Sequence, residues 1–123
     1  MGFGNIELQW YDFQDNLATC FKDLREEGDL FDVTLACDDE QLEAHKVILQ
    51  SSSAFFKSII KRNPHIHPLI YLKGVKIEDL TSLLDFMYLG KTRIAQDKVG
   101  DILEIGRGAW CQGSCQDSAE GKL

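Results

Sequence analysis

Phe31-Asp32-Val33-Thr34-Leu35-Ala36-Cys37, then Asp38-Asp39-Glu40, then Gln41-Leu42-Glu43-Ala44 is the stretch from which the architecture is read. Its first run is dense in β-formers, the three carboxylates favour a turn over a continued strand, and the second run returns to alternation, so a β-hairpin is predicted. The period then changes. Lys46 to Gln50 and Ser53 to Arg62 read as two short helices, the second opened by a serine cap and carrying Phe55, Phe56, Ile59 and Ile60. Asn63-Pro64 closes it, because the residue before proline is biased away from helix.

On the C-terminal side, Leu69-Ile70-Tyr71-Leu72 suits a buried strand and Lys73-Gly74 a turn. Ile77, Leu80, Leu83, Leu84, Met87 and Tyr88 form the apolar stripe of a longer helix that Gly90 should cap. A further short helix is predicted near Asp97, with Val99, Ile102, Leu103 and Ile105 turned inward. On the N-terminal side, Phe13, Leu17, Phe21 and Leu24 recur at helical spacing up to Glu27, with Gly28 as the stop. Before them, Ile6, Leu8 and Trp10 alternate with Glu7 and Gln9 and predict a short strand, an edge or an arm. The fold class is α/β in the α+β sense, helices grouped around a small sheet.

The 123 residues suffice for one domain. A hydrophobic fraction of 44% with 27% charged residues is that of a globular protein, and no apolar run is long enough to span a bilayer. Met1 to Glu7 lacks the basic start and apolar core of a secretory signal, so a reducing intracellular compartment and free thiols are expected. The net charge of -7 argues against direct binding to nucleic acid or an anionic membrane, since both need a basic face.

No cofactor, metal or enzymatic activity is expected. Cys20 and Cys37 fall in apolar patterns, and Cys111 and Cys115 have three residues between them near a glycine-rich end, a poor zinc spacing. His45 is the one histidine in a predicted core, while His65 and His67 read as a solvated loop. Ser51-Ser52-Ser53 lacks a nucleophile elbow, and a helix cap explains Ser53. Asp38, Asp39, Glu40 and Glu43 lack the order of a calcium loop and read as a hairpin tip. Gly106 and Gly108 follow a helix rather than a strand, unlike a dinucleotide loop. Asp32 and Lys46 stand out as opposite charges in apolar surroundings that a folded hairpin would bring together, as either a weak surface pair or a buried interface pair.

The runs Phe31 to Ala36, Leu42-Glu43-Ala44-His45-Lys46-Val47-Ile48-Leu49 and Ser51-Ser52-Ser53-Ala54-Phe55-Phe56 together resemble the signature of the BTB/POZ family. His67-Pro68-Leu69-Ile70-Tyr71-Leu72 and Asp85-Phe86-Met87-Tyr88-Leu89-Gly90 resemble it too, in the right order, and the resemblance covers about Leu8 to Ile105. Ile6-Glu7-Leu8-Gln9-Trp10 is similar to the Phe-x-Leu-Arg-Trp arm of the tramtrack-type group of arthropod transcription regulators, with Ile6, Gln9 and Tyr11 departing from it. The resemblance implies a three-stranded sheet flanked by helices, an N-terminal arm strand at 5–11, and homodimers formed by the first helix and an exchanged arm. It maps the dimer interface to Leu8, Trp10, Phe13, Leu17, Cys20, Phe21 and Leu24, and a charged groove at the dimer floor to Asp32 and Lys46.

The implied function is a non-enzymatic module for homodimerisation or higher self-association of a transcriptional regulator. Its partners would be itself, related BTB domains and co-regulator proteins, in the nucleus, with the cytoplasm open to a truncated chain. The alternative is a substrate adaptor of a cullin-RING ubiquitin ligase, a reading that expects extra helices after the last one. The domain is assigned to 1–106. From Gly106 onward the pattern stops: family members continue with something like Glu-Leu-x-Val-Lys-Gly-Leu, and this chain has Gly106-Arg107-Gly108-Ala109-Trp110-Cys111. Read one nucleotide later, suitable codons for Trp110 to Asp117 give Gly-Val-Lys-Gly-Leu-Ala-Lys-Thr. Residues 107–123 are therefore expected to be a disordered, non-family tail produced by a frameshift, leaving a truncated chain without a DNA-binding region.

Overall fold

Every residue of β1 (Val33–Cys37) is buried, because this strand lies in the middle of the sheet. The computed structural model describes residues 4–38 and 40–105. β2 (Glu40–Ala44) runs antiparallel to β1, from Val33 opposite Ala44 to Cys37 opposite Glu40. β3 (Leu69–Tyr71) runs parallel on the other side, opposite Thr34 to Ala36. Parallel neighbours require a crossover, and the two short helices α2 (Lys46–Ser52) and α3 (Ala54–Arg62) supply it together with β2. At the hairpin tip Asp38 has φ 49°, a left-handed geometry that a short polar side chain tolerates better than a bulky one.

The flanking helices end where their terminal residues dictate. α1 (Phe13–Glu27) stops at Gly28, whose φ of 75° lets its N–H reach the Arg25 carbonyl while Asp29 N–H reaches Leu24. α4 (Ile77–Leu89) stops in the same way at Gly90, whose N–H donates to the Phe86 carbonyl at 2.8 Å. Ser53 caps α3: its Oγ accepts from the Phe56 N–H at 3.3 Å inside a fully buried site. Ser53→Ala is expected to cost about 1–2 kcal/mol of stability by urea unfolding, since the amide would be left without water as a substitute.

The core is a single cluster. Val33, Leu35 and Cys37 alternate from β1 onto one face, where they meet Leu49, Phe56, Ile60, and Leu80, Leu83, Leu84 and Tyr88 from α4. Ile102, on α5 (Val99–Ile105), adds the last buried side chain after a 3-10 turn at Gln96–Lys98. Asp79 is buried at the start of α4, where the ammonium of Lys98 sits 3.5 Å from its carboxylate.

One expectation is corrected here. Ile6 to Trp10 is not a strand: residues 4–10 have neither helix nor strand structure. A lone extended segment cannot satisfy its backbone groups by itself, and among the described residues no strand pairs with it. Trp10 instead opens α1, its carbonyl accepting from the Phe13 N–H at 3.1 Å and its ring packing 5.4 Å from that of Phe13. The loop histidines are exposed, as expected, and His67 Nε2 also hydrogen-bonds Thr34 Oγ1 on the central strand at 2.8 Å.

Candidate interaction surface

α1 contains no buried residue. Its contact with the rest of the chain comes from its C-terminal half. The Phe21 ring meets the His45 ring edge-on at 5.8 Å, and Arg25 forms an ion pair with Asp85 at 2.8 Å while its guanidinium lies 4.8 Å from the centre of the Tyr88 ring. Leu24 is half-buried beside them. The N-terminal half has no such anchorage: Phe13 and Leu17 are 49% and 47% exposed, and Cys20 is exposed one turn further on. Residues 13, 17, 20 and 24 lie on one stripe of a 3.6-residue helix. The apolar residues preceding the helix continue this surface, with Leu8 92% exposed and Trp10 60% exposed.

The anchor under α1 is His45, buried at the junction of β2 and α2. Its Nε2 lies 2.9 Å from the Asp29 carbonyl, which can only accept, so Nε2 bears the proton. Its backbone N–H donates to Tyr88 Oη at 3.0 Å, and the Tyr88 hydroxyl proton is then directed to the unprotonated Nδ1. Phe31 closes the remaining side at 4.8 Å between ring centres. The loop before β1, the hairpin, α1 and α4 therefore meet at one imidazole. Burial pushes the Tyr88 phenol above its ordinary value, against the lowering pull of the His45 amide and the Arg25 guanidinium. Sequence reasoning placed His45 in the core but missed Tyr88 as its partner, since a tyrosine on an apolar helical stripe gives no sign of what its hydroxyl meets.

Asp32 and Lys46 are brought together, but not as an ion pair. Asp32 Oδ1 accepts from the backbone N–H of Lys46 at 2.7 Å, capping the first turn of α2, while the Lys46 ammonium reaches the His65 carbonyl at 2.7 Å. Both are half-buried. The helix amide is the nearer donor, so the carboxylate is spent on the backbone, where a charge-assisted bond at a helix start is favourable. Among the described residues no group of three or more His, Cys, Asp or Glu side chains could hold a metal ion.

The BTB/POZ domain family model matches residues 21–111. In Drosophila melanogaster, Longitudinals lacking protein-like is 41% identical over 97 residues, 79% of this chain and 76% of that protein. Protein abrupt is also 41% identical over 97 residues, and the alpha isoform of Protein tramtrack is 37% identical over 98. The chain spans only 11% and 12% of those two longer relatives. Among solved structures, the BTB domain of zebrafish PATZ1 superposes with TM-score 0.69 at 19% identity, covering 81% of this chain and 82% of that one. The BTB domain of human Gigaxonin superposes with TM-score 0.69 at 22% identity, covering 84% and 85%. At such identity these two speak to the fold, and the fold they share is this one. The matched family model, the Drosophila relatives and the shared architecture together place the chain in the BTB/POZ domain family of protein–protein interaction modules.

Proposed function

We propose that the chain is the self-association module of a nuclear transcriptional regulator and forms a homodimer through α1 and the N-terminal arm. The supporting observation is the apolar stripe of α1, left bare by a fold whose core is otherwise closed. Phe13, Leu17 and Cys20 meet their counterparts across the two-fold, Leu8 and Trp10 extend the contact, and Phe21 and Leu24 support it from beneath. The arm finds the strand partner it lacks at residues 91–95 of the other chain, a segment that is likewise neither helix nor strand. Multi-angle light scattering on the purified chain tests this: a mass of two chains or a multiple of two is expected, and a monomer at micromolar concentration overturns it.

Asp32 and Lys46 line a groove at the floor of that dimer and take part in choosing co-regulators. Asp32→Asn combined with Lys46→Gln keeps an acceptor for the helix amide, so the domain is expected to stay folded while its profile of captured partners changes. An unchanged profile in a quantitative pull-down removes the groove role. In the same reading the domain is 1–106, no face of it contacts DNA, and 107–123 is a frameshifted tail. That last expectation lies outside the described residues, and sequencing the transcript across Gly106 decides it.

A further inference from the structure

The acidic character of the chain is not evenly spread. From Ala44 to Ile77 there is no Asp or Glu, while six Lys and Arg residues fall there, in a chain of net charge -7. This segment includes α2, α3, β3 and the loop between the last two. Along it lies a groove of about 520 Å³ with Ile59, Asn63, His65, His67, Leu69 and Tyr71 among its lining residues. Lys61 and Arg62, both exposed, stand between the lining residues Ile60 and Asn63 in sequence at the end of α3, and the Lys46 ammonium is held at the loop by the His65 carbonyl.

One wall of the groove is an unfinished sheet edge. β3 is the outermost strand. The Pro68 carbonyl and the Leu72 N–H point toward β1, bonding Thr34 and Ala36. By the two-residue alternation of a strand, the N–H and C=O groups of Leu69 and Tyr71 point the other way, and no strand meets them among the described residues. Ile70 is buried, whereas Leu69 and Tyr71 are more than half exposed. Backbone donors and acceptors in register, apolar side chains beside them and surrounding segments that carry Lys and Arg but no Asp or Glu form a site for an extended chain of opposite charge.

We infer that the groove between α3 and the free edge of β3 docks an extended acidic peptide from a partner protein, which adds a strand to β3 and places its carboxylates against Lys61, Arg62 and Lys46. The site shares no residue with the α1 surface, and the one residue it has in common with the groove proposed at the dimer floor is Lys46, which the charge-reversed variant keeps.

The test uses the full chain, a fluorescein-labelled decapeptide of alternating Glu and Val, and a matched Lys and Val decapeptide. Fluorescence anisotropy is expected to show binding of the acidic peptide alone, weakened about tenfold by Lys61→Glu with Arg62→Glu, two exposed changes that leave the core intact. Raising salt to about 0.3 M should weaken it as well. Amide chemical-shift changes should gather on residues 59–71. Equal binding by the charge-reversed variant, or shifts centred on α1, would overturn the inference. So would tighter binding of a short single-stranded DNA than of the acidic peptide, which would make the face a nucleic-acid surface. Loss of self-association in the charge-reversed variant, seen by light scattering, would instead assign the face to a second copy of this chain and equally overturn it.

Discussion

Leu17→Asp is expected to reduce the scattering mass of the purified chain to that of a single subunit while a cooperative urea transition persists and no more helical circular dichroism is lost than α1 contributes. Leu17 is already about half exposed within its own subunit, so a carboxylate there costs the isolated fold little. At a two-fold contact the same carboxylate would be buried against an apolar surface and face its own copy, a loss of several kcal/mol with no compensating partner. Phe21→Asp is a harsher variant, because Phe21 also packs on His45 and the change strikes folding and association together. A folded Leu17→Asp dimer, at the parent's mass across a dilution series, would remove α1 from the interface.

The second large effect belongs to Tyr88→Phe. One hydroxyl serves both the His45 amide and the His45 ring, and its removal leaves a buried donor and a buried acceptor without partners. Each such group costs about 1–3 kcal/mol, so the urea midpoint at fixed protein concentration should fall by the equivalent of about 2–4 kcal/mol. The ring cannot recover by shifting its proton, because Nε2 must keep it to serve the Asp29 carbonyl. A change below about 0.5 kcal/mol would mean that the hydroxyl is dispensable.

The same phenol links stability to alkaline pH. Its folded-state value lies above the ordinary tyrosine value of about 10, which the unfolded chain retains. Between those two values the unfolded form releases the proton and the folded form does not. The stabilisation is therefore complete below about pH 10 and is lost as pH rises toward the folded value. Tyr88→Phe should flatten that part of the alkaline limb, as read by urea unfolding between about pH 8 and 11. An alkaline limb of unchanged slope would assign it to other groups.

The elements governed by nearby residues were the readable ones. α1 has the bounds Phe13–Glu27 that its stripe and Gly28 predict, α3 opens at the cap Ser53, and α4 ends before Gly90. The relations between distant residues were not. His45 and Tyr88 are 43 positions apart and His67 and Thr34 are 33 apart, and neither pairing leaves a periodic mark. Asp32 and Lys46 were read as opposite charges, which predicts attraction but not that a backbone amide would intercept the carboxylate first. The alternation of Ile6, Leu8 and Trp10 is a real two-residue pattern. A strand is a relation between two segments, however, and among the described residues of one subunit no second segment pairs with it.

α1 contains no buried residue, and Phe21, Leu24 and Arg25 tie only its latter half to the rest of the subunit. In the proposed dimer, a helix of 15 residues so lightly held would have little reason to stay wound once its partner departs. Deuterium uptake should register this: amides in α1 are expected to exchange faster as the protein is diluted, while those of β1 exchange at a rate indifferent to concentration. Assembly and the ordering of the first helix would then be one equilibrium, and a cell that lowers the abundance of this chain would also be melting its interface.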